Sequence, residues 1–198
     1  MKQFGDFKKE NNYTPRIGAY GIITNSDGLV ACLTTSNGTF LPGGGQDENE
    51  TLVQTLEREV LEETGYSIKN IHKLAKGGQY CFASDLDCHL NKIEHFYSAE
   101  AEDLVQNSIE DDHKLHWYSP QKLAKILKEE VQSWAIQQYQ KSLNHTATEY
   151  WANFFGIKKS ILDSENTYVI PHNTLNGYNG AWVFLHQKTV LILSLIHI

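Results

Sequence analysis

Residues 41–66, with the sequence LPGGGQDENETLVQTLEREVLEETGY, limit the fold of this chain more than any other stretch. Pro42 and the three glycines at 43–45 predict a turn, because such residues do not continue a strand or a helix without cost. Between Glu50 and Gly65 the chain lacks proline and glycine and is rich in leucine and glutamate. This composition predicts a helix of about three to four turns. A glycine loop that leads into a charged helix is therefore expected at the centre of the fold.

The predicted helix carries a cluster of carboxylates. Glu59 and Glu63 lie about one helical turn apart, so both share a face, and Glu62 stands beside it. Like charges at this spacing repel, so a hard divalent cation such as Mg²⁺ is the expected stabilising partner. Arg58 is spaced to pair with Glu50 and Glu62 and to hold them in place. The plain alternative is a solvated helix face, on which runs of charge are common.

The same stretch matches a known pattern as a whole. Residues 44–66 read G-x5-E-x7-R-E-U-x-E-E-x-G-U, in which U is a bulky apolar residue, and this is the box of the Nudix hydrolases. The chain resembles that family at Gly44, Glu50, Arg58, Glu59, Val60, Glu62, Glu63 and Gly65. Two positions depart from the commonest form, Tyr66 at the end of the box and Glu57 before Arg58. Neither is a metal-binding position of the family.

The resemblance implies a reaction, the hydrolysis of a nucleoside diphosphate linked to another moiety, and a cofactor, Mg²⁺ with Mn²⁺ as the alternative. It also implies the metal ligands, which are Glu59, Glu62, Glu63 and the backbone carbonyl of Gly43. Arg58 and Glu50 would orient this set and complete the catalytic group.

The residue that activates the attacking water is left open by the sequence. The general base is either Glu59 itself or a carboxylate from a later loop, as in many Nudix enzymes. In the acidic loop 103–114 the candidate is Glu110, with Glu94 behind it. The alternative for this loop is a solvated connection without a role in the site.

The substrate class follows only by elimination among Nudix enzymes. Members that act on ADP-ribose tend to carry a proline shortly after the box, whereas this chain has none between Pro42 and Pro120. The coenzyme A signature upstream of the box is also missing. A nucleoside or deoxynucleoside triphosphate is therefore expected, with dinucleoside polyphosphates and nucleotide sugars as alternatives. A rival class is a catalytically inactive Nudix domain that senses a nucleotide and regulates a fused partner.

The rest of the chain predicts an α/β fold, which by the resemblance is an α/β/α sandwich with a mixed β-sheet, in a domain of residues 1–145. Residues 1–14 are expected to be loose or partly helical. Strands are predicted at 16–24, 29–35, 39–41, 67–74, 77–84, 92–100 and 115–118, and helices at 121–128 and 130–143.

After residue 143 the composition changes. A linker at 144–148 and a short aromatic helix at 149–156, closed by glycine, are followed by strands at 168–171, 181–185 and 189–193 around an Asn/Gly turn. Residues 146–192 are thus expected to form an incomplete second α+β unit, which weakly resembles the N-terminal region of some acetyltransferases of the GNAT superfamily. Residues 193–198 match a peptide encoded by a sequencing-library adapter and are expected to be an artefact.

Charge and cysteine content limit the binding partners and the cellular location expected for the protein. The formal net charge of −7 argues against a nucleic-acid partner, which would require a basic surface. The three cysteines share no metal-ligand spacing, and the first residues lack the apolar core of a signal peptide. We therefore expect a cytoplasmic protein with no membrane segment and a small nucleotide as its partner. The oligomeric state is open, with a homodimer as one option.

Overall fold

The computed structural model describes residues 1–84, 86–108, 113–155, 157–163, 165–171, 181–186 and 189–194. The chain divides into two compact units, Met1–Gln140 and Lys141–Ile198. In the described part of the chain, no helix is both long and apolar enough to cross a membrane.

A mixed sheet forms the centre of the first unit. Its strands are β1 (Lys2–Phe4), β2 (Tyr13–Thr24), β3 (Val30–Thr35), β4 (Gly38–Phe40), β5 (Gly43–Gly45), β6 (Tyr66–Ala83), β7 (Cys88–Leu104) and β8 (Lys114–Tyr118). The order of this eight-stranded sheet is β1-β6-β7-β2-β3-β4, with β5 paired to β2 and β8 paired to β3. The pairs β1–β6 and β2–β7 are parallel, and the other pairs are antiparallel.

Helix α1 (Leu52–Thr64) begins and ends where its sequence specifies. The Thr51 hydroxyl accepts a hydrogen bond from the backbone N–H of Gln54, and the Gln54 side chain accepts one from the N–H of Thr51. This reciprocal cap satisfies two donors that a helix start would otherwise leave unpaired. At the other end Gly65 adopts a left-handed conformation with φ of 77°, which glycine reaches without steric cost.

Helices cover both faces of the sheet, so the predicted α/β/α sandwich is confirmed. Helix α1 packs Leu56 and Val60 against Ile23 and its neighbours on one face. Helices α2 (Pro120–Ile126) and α3 (Glu130–Phe155) cover the other face, where Val131 and Phe96 belong to one buried cluster.

Several elements differ from the sequence-based expectation. Residues 2–4 form strand β1, which the paired glycines at 77 and 78 accommodate because a Cβ at Gly78 would collide with the Gln3 side chain. The strands predicted at 67–74 and 77–84 are one bulged strand, β6, which ends at Ala83. The predicted linker 144–148 is helical within α3, where the Thr148 hydroxyl donates to the carbonyl of Asn144. A residue type that favours a helix start therefore meets its hydrogen-bonding need inside the helix.

The second unit contains a short helix and a three-stranded sheet. The elements after α3 are α4 (Lys159–Leu162), β9 (Thr167–Pro171), β10 (Ala181–His186) and β11 (Thr189–Ser194), and the sheet order is β10-β11-β9. The three predicted strands are confirmed in position. The predicted helix end at Gly156, the turn at 172–180 and residues 195–198 lie outside the described residues.

Candidate active site

The glycine segment approaches both strand β2 and helix α1 too closely to carry side chains. The predicted turn is instead strand β5, in which Gly44 pairs with Ala19. A Cβ at Gly43 would lie 2.2 Å from the Ala19 carbonyl oxygen, and Gly43 has a φ of 133°. A Cβ at Gly44 would lie 2.5 Å from Oε1 of Glu59. Glycine at these positions thus brings the backbone against the carboxylates of the box helix.

The guanidinium of Arg58 connects three carboxylates of the box. Its Nε donates to Glu50 Oε1 at 2.7 Å, and its Nη1 donates to Glu59 Oε1 at 2.9 Å and to Glu62 Oε2 at 3.2 Å. Its Nη2 donates to the carbonyl oxygen of Gly45 at 3.2 Å. The pairings with Glu50 and Glu62 are those that the spacing predicted, and the contact with Glu59 is an addition. A planar guanidinium with five donors suits such a cluster better than an ammonium group.

These contacts change the acidity of the paired groups. Hydrogen bonds from Arg58, above all, lower the pKa of Glu50 to about 2, with a smaller contribution from the Thr55 hydroxyl and with burial opposing the shift. The Glu50 carboxylate is also the main reason why the pKa of Arg58 is raised. Both groups are therefore charged at neutral pH and fix the start of α1 next to the glycine segment.

Glu63 is held by different partners from the other box glutamates. Its Oε2 accepts a hydrogen bond from the backbone N–H of Gly43 at 2.8 Å, and its Oε1 lies 3.4 Å from Nδ1 of His113. Glu63 is buried, with 7% of its surface exposed. The sequence did not single out His113 for this position, since no spacing links it to the box.

The box carboxylates do not converge on one point. Among the described residues, no three His, Cys, Asp or Glu side chains come close enough together to hold a metal ion. Three of the four box glutamates instead contact Arg58, and Glu63 contacts the backbone of Gly43. The donor set nevertheless fits a hard cation, because it consists of carboxylate oxygens, and Gly44 keeps the space before Glu59 free of any side chain.

A cavity of about 220 Å³ opens beside Glu63. We call it the site cavity. Its walls combine apolar and polar groups, which are Tyr20, Leu33, Thr35, Asn37, Phe40, Leu41, Gly43, Glu63, Lys92, His113 and Gln132. Because Glu63 belongs to the box and Gly43 directly precedes it, the site cavity adjoins the box.

A second depression lies beside the box. Its lining includes Glu59, Gly45, Asp47 and Arg16. The Arg16 guanidinium lies 3.2 Å from the position of a Cβ at Gly45. Sequence reasoning missed Arg16 and Lys92. Neither residue lies at a fixed spacing from the box, so the sequence carries no signal that places them there.

Glu110 and Glu94 are the two further carboxylates considered for the general base. Glu110 lies outside the described residues. Glu94 lies on β7 with 1% of its surface exposed, and its acidity is influenced by Glu129, Lys92 and Gln132 instead of by box residues. Burial first, and the charge of Glu129 second, raise the pKa of Glu94.

Comparisons with known proteins agree with this geometry. The family model of the NUDIX domain matches residues 14–141, which is more than half of the chain. No match was found among curated protein sequences.

Three solved structures share the fold, each with a TM-score of 0.54. They are a NUDIX hydrolase from Nitrosomonas europaea (15% identity, covering 65% of this chain and 90% of that one), a MutT NUDIX hydrolase from Burkholderia pseudomallei (23% identity, 63% and 98%), and the NUDIX domain of Shewanella oneidensis NrtR in complex with ADP ribose (19% identity, 70% and 94%). The family match, together with the complete box on this fold, shows that the chain belongs to the NUDIX family as a Nudix pyrophosphohydrolase.

Proposed function

We propose that this protein hydrolyses the diphosphate linkage of nucleoside or deoxynucleoside triphosphates in a Mg²⁺-dependent reaction. One observation carries the proposal. Glu59 and Glu63 lie against a glycine strand that leaves no room for side chains, Arg58 joins Glu59 to Glu50 and Glu62, and the site opens into a cavity with partly apolar walls. The carboxylates suit a cation bound to phosphate, and the cavity suits the attached nucleoside.

Each group has a proposed role. Glu59, Glu62, Glu63 and the Gly43 carbonyl would hold the cation, and Mn²⁺ could replace Mg²⁺. A bound divalent cation neutralises charge that develops on the phosphate oxygens. Arg58 and Glu50 position the glutamates through the hydrogen bonds described above. Water adds to phosphorus as the bond to the leaving phosphate breaks, and Glu59 or Glu110 would accept the proton of the water.

One structural neighbour supports binding of a nucleoside diphosphate unit, and the sequence favours a triphosphate over ADP-ribose. The NUDIX domain of NrtR was crystallised with ADP ribose, so this fold holds a nucleoside diphosphate derivative in that protein. The present chain lacks the proline that ADP-ribose enzymes tend to carry after the box. A triphosphate presents the same diphosphate unit with a further phosphate, for which the uncovered Arg16 side of the box offers a cation.

A substrate panel tests the proposal. The whole chain would be incubated with NTPs, dNTPs, ADP-ribose, nucleotide sugars and dinucleoside polyphosphates, each with Mg²⁺, with Mn²⁺ and with EDTA. Chromatography of the nucleotide products and a pyrophosphatase-coupled phosphate assay would identify which bond breaks. We expect metal-dependent release of a nucleoside monophosphate and pyrophosphate from triphosphates. Cleavage of another class alone would overturn the substrate assignment, and nucleotide binding without any cleavage would indicate a sensing domain.

A further inference from the structure

A buried polar cluster lies along the site cavity. It consists of Lys92, Glu94, Glu129 and Gln132, and we call it the floor cluster. Lys92, Glu94 and Phe96 are alternate residues of β7, so their side chains leave the same face of the sheet, the face covered by α3. Lys92 and Gln132 line the site cavity.

The ammonium of Lys92 is anchored within this cluster. Its Nζ donates to Oε1 of Glu129 at 2.5 Å, and the two side chains are only 21% and 13% exposed. Burial alone lowers the pKa of Lys92, but the Glu129 carboxylate outweighs that effect and leaves the pKa raised. Lys92 therefore remains charged. One of its three N–H groups is used by Glu129, and a lysine offers donors only.

Glu94 supports Glu129 from the other side. Both oxygens of Glu94 and Oε2 of Glu129 are shielded from solvent and make no hydrogen bond of normal geometry to the described residues. Burial first, and the neighbouring Glu129 carboxylate second, raise the pKa of Glu94 and so favour the protonated form of Glu94. A neutral Glu94 can donate its O–H to Glu129, which leaves Glu129 with a single charge for Lys92. The remaining donors of Lys92 are then available to the site cavity.

Gln132 is the fourth member of the floor cluster, and one of its hydrogen bonds connects the cluster to the backbone. It is 1% exposed, and its Oε1 accepts a hydrogen bond from the backbone N–H of Leu41 at 2.8 Å. Its acceptor is thus in use, and a hydrogen bond from its amide acts on Glu94, where it opposes the effects that raise the pKa of Glu94. Lys92 is therefore the charged donor that the floor cluster places at the wall of the cavity.

We propose that Lys92 selects the base of the substrate by donating a hydrogen bond to a keto oxygen on the edge of a base that lies in the site cavity. This inference rests on the proposed function. Tyr20, Leu33 and Phe40 supply apolar walls for a flat ring. A keto group, as in guanine, hypoxanthine, uracil and thymine, accepts from the ammonium. The exocyclic amino group of adenine or cytosine is a donor and meets a donor there.

Two pairs of nucleotides that differ at this edge provide the test. ITP differs from ATP, and UTP from CTP, by a keto group in place of an amino group. We expect the wild-type protein to favour ITP over ATP and UTP over CTP by about tenfold or more in kcat/KM, the factor expected for one hydrogen bond to a charged donor. Dissociation constants would be measured by calorimetry on Glu63→Gln, in which turnover is expected to fall by about 10²-fold or more.

Variants assign the preference to a residue. Lys92→Met should bring both ratios close to one, whereas Lys92→Arg, which keeps a charged donor, should retain part of the preference. Lys69→Met is the matched control, because Lys69 pairs with Glu102 in an exposed ion pair on β6 and should leave the ratios unchanged. If Lys92→Met does not fold, the wild-type ratios and the change in those ratios in Lys92→Arg still test the role of Lys92.

The outcomes separate this inference from the proposed function. Cleavage of all triphosphates without a keto preference, or a preference that survives in Lys92→Met, overturns the role of Lys92 and leaves the hydrolase assignment intact. Binding with a keto preference but without cleavage supports the role of Lys92 and overturns the proposed reaction.

Discussion

The backbone N–H of Gly43 donates a hydrogen bond to Oε2 of Glu63 over 2.8 Å, and this contact joins the glycine strand to the last turn of the box helix. The pair explains why the two parts of the box occur together. A side chain at Gly43 would collide with the carbonyl of Ala19, so only glycine lets this N–H reach the carboxylate. Glu63 is thereby fixed at the mouth of the site cavity.

Glu63→Gln should lower turnover by on the order of 10²-fold or more, because the amide cannot replace a carboxylate as a cation ligand. The fold should change by less than about 1 kcal/mol, since the amide oxygen can still accept from Gly43. Steady-state kinetics with Mg²⁺ and urea denaturation would measure the two effects. Glu57→Gln is the matched control on the exposed face of the same helix and should be neutral. Normal turnover in Glu63→Gln would remove Glu63 from the site.

Gly44→Ala should damage activity more than stability. Gly44 does not have a positive φ, so alanine fits its backbone, but the new methyl group would lie 2.5 Å from Oε1 of Glu59. The flexible carboxylate would move aside, and a displacement of about 1 Å at a reacting site can cost about 10²-fold in rate.

The control for this variant is Gly28→Ala. Gly28 has a φ of 72° in a turn with open space around it, so alanine there should cost about 1 kcal/mol of stability and leave the rate unchanged. Comparison of kcat and of the unfolding midpoint for both variants checks the prediction. Equal rates for Gly44→Ala and the wild-type protein would contradict it.

Arg58→Lys should weaken the affinity for Mg²⁺ by about 10–100-fold, as is usual when a residue that orients metal ligands is lost. An ammonium cannot donate simultaneously to Glu50, Glu59 and Glu62 in the geometry that the guanidinium provides. A titration of activity against Mg²⁺ concentration would show the change in affinity. Lys69→Arg, at an exposed ion pair, should leave the titration unchanged. An unaltered metal dependence would mean that Arg58 has no positioning role.

Glu94→Gln should make the protein more stable at alkaline pH than the wild type. The pKa of Glu94 is raised in the folded state above its ordinary value of 4.5. Its contribution to stability is therefore fully present below about pH 4.5 and is lost as the pH rises through the folded pKa. The loss amounts to about 1.4 kcal/mol for each pH unit by which the folded-state pKa exceeds the unfolded one. The amide of glutamine keeps a donor towards Glu129 without this loss.

Urea denaturation between pH 4.5 and pH 9 measures the difference between the two proteins. Lys92, Tyr20 and Cys81, whose pKa values are also raised, lie near Glu94 beside the Glu129 carboxylate, so the quantity of interest is the change in that difference with pH. A difference that does not grow with rising pH would show that Glu94 is ionised in the folded protein.

The sequence predicted the helix of the box almost to the residue, because its limits depend on local contacts. Thr51 and Gln54 cap one end, Gly65 closes the other, and neither needs the rest of the fold. The pairing of Arg58 with Glu62 could be inferred for the same reason, since positions one turn apart on a helix are neighbours. The local residue pattern likewise located β2 and β7, at 16–24 and 92–100, but not their full lengths.

Only the tertiary structure decided which side chains from distant segments meet around the site cavity. Lys92 and Glu129 meet because β7 lies in parallel register beside β2 and α3 covers that face, and no spacing in the sequence records such a contact. The approach of His113 to Glu63 has the same origin. Strand β1 was missed because its pairing with the glycines of β6 joins distant segments. The sequence by itself thus determined the box helix and its carboxylates, whereas the walls of the site cavity arise from long-range packing.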